Sequence, residues 1–425
     1  MNINNNKIIS ALQWTVFIIA ANLIPPLAVA ASFGLSSQDT MLFLQRTIFV
    51  LGLAGLLQGL FGHKLPINEG PAGVWWGVFS LYAGLSQTLF SNNNTTLRVL
   101  MFSLILCGII SIALSLFGIL EKVLAFFTPR VVGTYLILLV IQLSGGFLKG
   151  MLGIGYISNN VSITIMLISL FLILLSIYVS KTKKLASFTV IIVIVVGWLL
   201  FYMFGLTKPI PKVLGIFKIP GIFVFGMPKF DLSIIPTIFL VTLLLLTNML
   251  ASIQVLKYVV GTIENKEKHS NIKNSGIVMG INEILSGIFS AIGPVPISGS
   301  AGFVSQTKIT SMKAFLLSNV FVILLSMCSP LIAFFSTLPT PVGYASIFII
   351  FANMIGIAIQ EFDKVEIREK IYKKVGIPIF IGAGLMFASS ESFSGLPPTI
   401  ISLLSNGLVV GTVIALIIEI IDKKR

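Results

Sequence analysis

The stretch Lys64-Leu65-Pro66-Ile67-Asn68-Glu69-Gly70-Pro71-Ala72-Gly73-Val74-Trp75-Trp76-Gly77 decides how this chain folds. It follows a long apolar segment, yet Pro66 disfavours helix at Leu65, so Leu65-Pro66-Ile67 reads as a short extended piece. Glu69-Gly70-Pro71 then puts a proline where a first helical turn tolerates one, and the spacing predicts an apolar helix from about Ala72 to Leu85. About fourteen helical residues at about 1.5 Å each reach about 21 Å, short of a bilayer core of about 30 Å. The stretch is therefore expected to be a half-helix that starts inside a membrane with an acidic side chain at its N-terminus. Non-helical backbone survives at that depth only within protein or beside a polar cavity, and broken helices point to transporter sites.

Composition agrees with a membrane setting. Of 425 residues, 56% are hydrophobic and 10% charged, and the mean hydropathy is +1.04. The net charge of +14 does not indicate a nucleic-acid partner. The basic residues gather in short loops between apolar runs, as the positive-inside rule expects. Cys107 and Cys328 lie in apolar runs, His63 and His269 lie in loop-like sequence, and no metal-ligand motif occurs. No metal, cofactor or disulfide framework is expected. Ala28-Val29-Ala30 looks faintly like a signal-peptidase site, but only Lys7 precedes the first apolar run, and a retained first helix is expected.

Working outward, apolar segments fall at about 9–31, 41–61, 70–86, 98–119, 128–148, 161–180 and 185–205. They resume at about 233–261, 275–292, 294–309, 314–337, 342–360, 376–393 and 399–421. Broken segments come third in each set of seven. The expected fold is an all-α integral membrane protein of 14 transmembrane segments, a 7+7 inverted repeat whose half-helices (segments 3 and 10) follow short extended strands. The second broken segment, Gly293-Pro294-Val295-Pro296-Ile297-Ser298-Gly299-Ser300, has prolines that favour an extended start, with Ser298 or Ser300 placed to cap the next helix. Lys181, Lys183, Lys184, Lys266, Lys268, Lys273, Lys364, Arg368, Lys370, Lys373, Lys374 and Lys423-Lys424-Arg425 fall on one side, placing both termini in the cytoplasm of a plasma-membrane protein. The loop 206–232 disagrees, carrying Lys208, Lys212, Lys218 and Lys229 on the outside.

Several motifs, in this order, resemble the nucleobase–cation symporter-2 family, the uracil and xanthine permeases, also called nucleobase:ascorbate transporters. They are Leu57-Gln58-Gly59 through Glu69-Gly70-Pro71, Thr128-Pro129-Arg130-Val131-Val132-Gly133-Thr134, Ile219-Pro220-Gly221 through Phe230, and Gly395-Leu396-Pro397-Pro398 with Ser405-Asn406-Gly407. The resemblance implies a core domain (1–120 and 233–338) moving against a gate domain (121–232 and 339–425), with substrate between the half-helices close to the eighth helix. It also implies a nucleobase-like small molecule as substrate, a coupling cation with H+ favoured over Na+, lipid as the surroundings, and a homodimer through the gate domain. Two family acids are missing. Ala251 or Ser252 stands where the eighth helix normally carries a glutamate, and Gly299 stands where the tenth segment has another. This places the substrate and coupling ion in question, not the fold.

With those acids absent, Glu69 is the leading candidate. A carboxylate at a half-helix N-terminus is stabilised by free N–H groups and the dipole. It could accept from a ring N–H, carry a proton, or simply anchor its helix. Gly70, Ser298, Gly299 and Ser300 offer hydroxyls and close-approach backbone to the same space. Asn248, Ser252 and Gln254 are the polar residues of an apolar helix, and an amide suits a base edge because it donates and accepts; interhelical hydrogen bonding is the plain alternative. Trp75, Trp76 and Tyr82 could wall a planar ring or pack in a core. Glu283 and Arg46 are intramembrane charges, Glu283 a second candidate for the coupling ion; Lys149, Lys257 and Lys308 are expected to snorkel. The expected activity is secondary transport of a purine, pyrimidine or similar heterocycle by alternating access. The alternative is an anion carrier of the sulfate-permease type, whose facing helix ends would suit an anion. No nucleophile–base pair or redox cysteine at membrane depth suggests an enzyme.

Overall fold

The structure, a computed structural model, describes the chain except residues 1–2, 119–125, 183–184, 186–187, 214, 267–268, 365–367, 389, 394 and 424–425. The 120/121 domain boundary and Lys183, Lys184, Lys268, Lys424 and Arg425 lie outside the described residues, as do the side chains of Arg368, Lys370, Lys373 and Lys423.

In chain order the elements are α1 (Ile3–Asn22), α2 (Ile24–Ser32), α3 (Ser37–Phe61), β1 (Glu69–Pro71), α4 (Gly73–Gly84), α5 (Ser86–Leu89) and α6 (Asn93–Leu116). Next come α7 (Pro129–Met151), α8 (Ile163–Lys181), α9 (Thr189–Met203), α10 (Ile235–Glu264), α11 (Ile272–Ile288), β2 (Pro294–Pro296) and α12 (Gly299–Thr307). The last are α13 (Met312–Ser326), α14 (Ser329–Ser336), α15 (Thr340–Asp363), α16 (Arg368–Phe387), α17 (Pro398–Leu404) and α18 (Gly407–Lys423). Among the described residues, seven helical stretches are long and apolar enough to cross a membrane. The count is eight if the bent pair Pro398–Leu404 and Gly407–Ile421 is one span.

Polar caps set several helix starts. Ser36, Asn92, Ser162, Asn271 and Ser311 each accept a backbone N–H from three residues on. Three expected continuous segments are broken. Pro25 and Pro26 lack the N–H groups that would carry α1 on, so a new helix begins at Ile24. Segment 314–337 divides ahead of Pro330. Segment 399–421 bends by 81°, and at the bend the Asn406 side chain accepts from the Val409 N–H at 3.2 Å, starting α18 afresh.

Helices pack mostly within two groups. One joins α1, α3, α6, α10, α11 and α13; the other joins α7, α8, α9, α15, α16 and α18. Helices α6 and α11 approach each other closely. A Cβ on Gly280 would sit 2.5 Å from the Gly108 carbonyl oxygen, and one on Gly287 would sit 2.7 Å from that of Met101. Only hydrogen in place of side chains lets these backbones approach so far. The 206–232 loop lies over one end of the first group. Lys218 N–H donates to Met327 O (2.9 Å), Gln45 Nε2 to Lys218 O (2.7 Å) and Arg98 Nε to Met227 O (2.8 Å).

Candidate functional site

The deciding stretch is extended slightly later than its prolines suggest. The strand is Glu69–Pro71, so Pro71 ends a strand instead of sitting in a first helical turn. β1 and β2 pair antiparallel, with Glu69 opposite Pro296, Gly70 opposite Val295 and Pro71 opposite Pro294. The ladder continues at both ends, where Ala72 N–H donates to Gly293 O and Ile297 N–H to Asn68 O, each at 2.9 Å. Proline cannot donate, so three prolines among six strand residues leave a ladder that no third strand can extend. All six residues are buried, and the antiparallel pairing sets the starts of α4 and α12 at opposite ends of the ladder, running away from each other.

Successive side chains of β1 point to opposite faces. On one face Asn68 exchanges amide hydrogen bonds with Asn22 of α1 at 3.2 and 3.4 Å. Gly70 shares this face. A Cβ there would meet the Asn22 amide oxygen at 2.7 Å and collide with the Ile297 side chain. Gly70 is therefore required by packing. The Asn68 N–H donates to Ser300 Oγ at 2.8 Å, so the Ser300 hydroxyl joins the two broken segments and caps nothing. Ser298, at the N-cap of α12, makes no capping bond with its side chain.

On the other face lies a buried acidic pair. His63 Nδ1 accepts the Leu65 N–H at 3.0 Å, which leaves the ring proton on Nε2. That N–H donates to Glu69 Oε1 at 3.2 Å. Glu283 Oε2 accepts from Trp75 Nε1 at 2.9 Å. Glu69 Oε2 and Glu283 Oε1 are buried without a hydrogen-bond partner. Both residues are at most 1% exposed, and Glu283 packs against Gly293, whose carbonyl takes the Ala72 N–H just past the strand that carries Glu69. His63 was not a candidate from sequence; the available signal was its position between an apolar segment and the Pro66 break.

The remaining candidates lie along α10 and α12, which pack together. Ser252 Oγ donates to Pro296 O at 2.7 Å, clamping α10 to β2. Asn248 is half-buried and Gln254 exposed, and neither side chain has a partner among the described residues. Ser298, Gly299, Gly302 and Ser305 are exposed along α12. A Cβ on Gly299 would touch only Ile297, at 3.5 Å, and one on Gly302 would meet nothing within 4 Å. This small, polar surface borders open space, which sets it apart from the branched apolar side chains of the exposed α8 surface. A separate hollow of about 240 Å³ between α1, α9 and α12 is lined by Gln13, Phe17, Phe188 and Phe303 among others, and by none of Ser298, Gly299, Gly302 and Ser305.

The α4 end is closed. Trp76 packs with Phe147 of α7 and with Tyr344 and Phe351 of α15, ring centres 4.6–6.5 Å apart across the cluster. Tyr82 OH bonds Ser402 of α17 and, at 3.2 Å, Thr237 of α10. Trp75 and Tyr82 thus spend their polar atoms, and Trp76 its ring, on the protein, and none of the three offers a face to the open space. Arg46 is also buried; its Nε donates to Ser290 O at 3.3 Å and its guanidinium lies over Phe225 at 5.3 Å and Phe43 at 5.8 Å.

The profile of the permease family matches residues 5–422. The chain is 40% identical over 415 residues, 96% of its length and 94% of the relative's, to YwdJ of Bacillus subtilis, which carries a provisional purine-permease name. It is 22% identical over 423 residues to the Bacillus subtilis xanthine permease, covering 96% of this chain and 92% of that one. Among solved structures, the transmembrane domain of the cyanobacterial bicarbonate transporter BicA shares the fold, with a TM-score of 0.61 at 16% identity over 97% of each chain.

Proposed function

Because this chain belongs to the permease family that matches it almost end to end, we propose that it transports a purine or a similar planar nucleobase across the membrane by alternating access. It is a multi-pass membrane permease and not an enzyme. One observation carries the finer reading: the antiparallel β1–β2 pair sends α4 and α12 off from its two opposite ends, with α12 open and α4 closed. A site reached from one side, with the other side sealed by packed aromatics, is what alternating access requires.

In this reading the 14-segment inverted repeat has α4 and α12 as its half-helices. Residues 1–120 and 233–338 form the core domain, and 121–232 and 339–425 the gate; the two packing groups support that division. The base lies against α12 near Ser298 and Gly299. Asn248 and Gln254 supply amides able both to donate and to accept along its edge. Gly70, Ser252 and Ser300 hold the broken segments in register around it. The coupling cation is a proton in preference to sodium, both termini face the cytoplasm, and α12 opens to that side. A homodimer through the gate domain follows from the family resemblance.

Counterflow in proteoliposomes with labelled xanthine, urate and uracil tests the substrate, with labelled sulfate and bicarbonate alongside. Exchange of a base supports the reading. Exchange of an anion and of no base would replace it with the anion-carrier alternative, whose fold BicA shares.

A further inference from the structure

We propose that Glu69 and Glu283 together form a proton-binding site set apart from the substrate space, behind the β1–β2 pair. The proposal rests on the transporter reading for its purpose, but not for its detection. Four features of the structure carry it.

First, the pair has no cationic partner among the described residues. His63 accepts at Nδ1 and donates at Nε2, so it stays a neutral donor; a second ring proton would face the Leu65 N–H. Trp75 can only donate. Of the other ionisable groups around the pair, Cys107 of α6 is a thiol that accepts from Thr242. Arg46 of α3, buried elsewhere in the core, is engaged with Ser290 and two aromatic rings. Second, each carboxyl has one oxygen satisfied by a neutral N–H and one buried oxygen with no partner. Third, Asn282, next to Glu283 on α11, is buried with neither its amide nitrogen nor its oxygen bonded. Fourth, the site is tightly enclosed, since a Cβ on Gly293 would lie 2.6 Å from the Trp75 ring and collide with Glu283.

Two interacting carboxylates enclosed in a medium of low dielectric constant, with no counter-charge, cannot both remain ionised. Taking up one proton leaves one carboxylic acid and one carboxylate, and releasing it to water restores the pair. The proton belongs to the pair and not to either residue. Neither side chain reaches the exposed surface of Ser298 and Gly299, so the proton and the base occupy different places. β1 connects them: Glu69 faces the acidic pair, while the same strand leads into α4 and pairs with the one leading into α12.

The test is infrared difference spectroscopy on the full-length protein in nanodiscs, titrated with acid and base without substrate. The wild type should show a carboxylic-acid carbonyl band that disappears as pH rises. Glu69→Gln and Glu283→Gln should each leave a single carboxyl whose band disappears at lower pH than in the wild type, and the double variant should lose the band. Glu361→Gln, at an exposed pair with Lys364, should leave it intact. Each variant's size-exclusion profile checks that it folds, and a variant that fails is replaced by Trp75→Phe or His63→Gln, which should shift the band's titration midpoint. A midpoint unchanged by either single substitution, a titrating band that survives in the double variant, or a band that responds to sodium at fixed pH would overturn the proposal. Failure of base transport with the band as expected would instead count against the substrate reading alone.

Discussion

The indole N–H of Trp75 meets Glu283 Oε2 at 2.9 Å and so ties the first turn of α4 to α11, 208 residues further along the chain. A tryptophan that sequence offers as a wall for a flat ligand is instead a donor to a buried acid. Trp75→Phe keeps most of the ring and removes the donor. Leaving a buried carboxyl without it costs about 1–3 kcal/mol, and the melting temperature should fall by a few degrees. Concentrative uptake should drop with it. An unchanged melting temperature would mean that the hydrogen bond contributes little to α4 docking.

Gly299 and Gly70 should respond differently to the same change. At Gly299 a side chain meets open space, so Gly299→Leu should insert and fold normally while base uptake falls about tenfold or more, equivalent to about 1.4 kcal/mol of lost binding. At Gly70 the added atoms run into Ile297 and Asn22, and Gly70→Leu should lower expression and stability before any transport is measured. Normal uptake by Gly299→Leu would move the substrate away from the start of α12.

The crossing of α6 and α11 predicts a purely structural defect. Gly280→Leu places a branched side chain against the Gly108 carbonyl. Overpacking of this kind costs about 1–3 kcal/mol and should appear as a lower melting temperature in detergent. Gly384→Leu, where a Cβ meets nothing within 4 Å, should leave stability near the wild-type value.

Orientation is tested with single cysteines in a Cys328→Ser background, where the buried Cys107 should stay unlabelled. Lys181→Cys and Lys364→Cys should react with an impermeant maleimide only from the cytoplasmic side, and Lys212→Cys only from outside. The reverse pattern would invert the topology. One pattern for all three would refute the number of crossings between them.

The four lysines of 206–232 that break the positive-inside pattern belong to a loop pinned in place. Lys208 lies over the Tyr156 ring at 4.9 Å, and the Lys218 backbone bridges Gln45 and Met327. Charge counting treats every loop lysine as a free vote on topology, and these two are held by tertiary contacts instead.

The sequence alone determined that Leu65-Pro66 and the paired prolines of Pro294-Val295-Pro296 would interrupt helices, because proline's missing N–H and restricted neighbour act within a few residues. It determined the membrane setting for the same local reason, since apolar runs carry their meaning without partners. Tertiary structure decided what each polar side chain faces. Ser252 and Ser300 spend their hydroxyls across 44 and 232 positions of sequence. His63 becomes part of a buried acidic pair, and Glu69 turns away from the surface of Ser298 and Gly299. Those outcomes depend on which strand pairs with which and in what register, and a one-residue slip would turn Glu69 to the opposite face. Registers between segments more than 200 residues apart leave no mark in local composition, so only the folded chain reveals them.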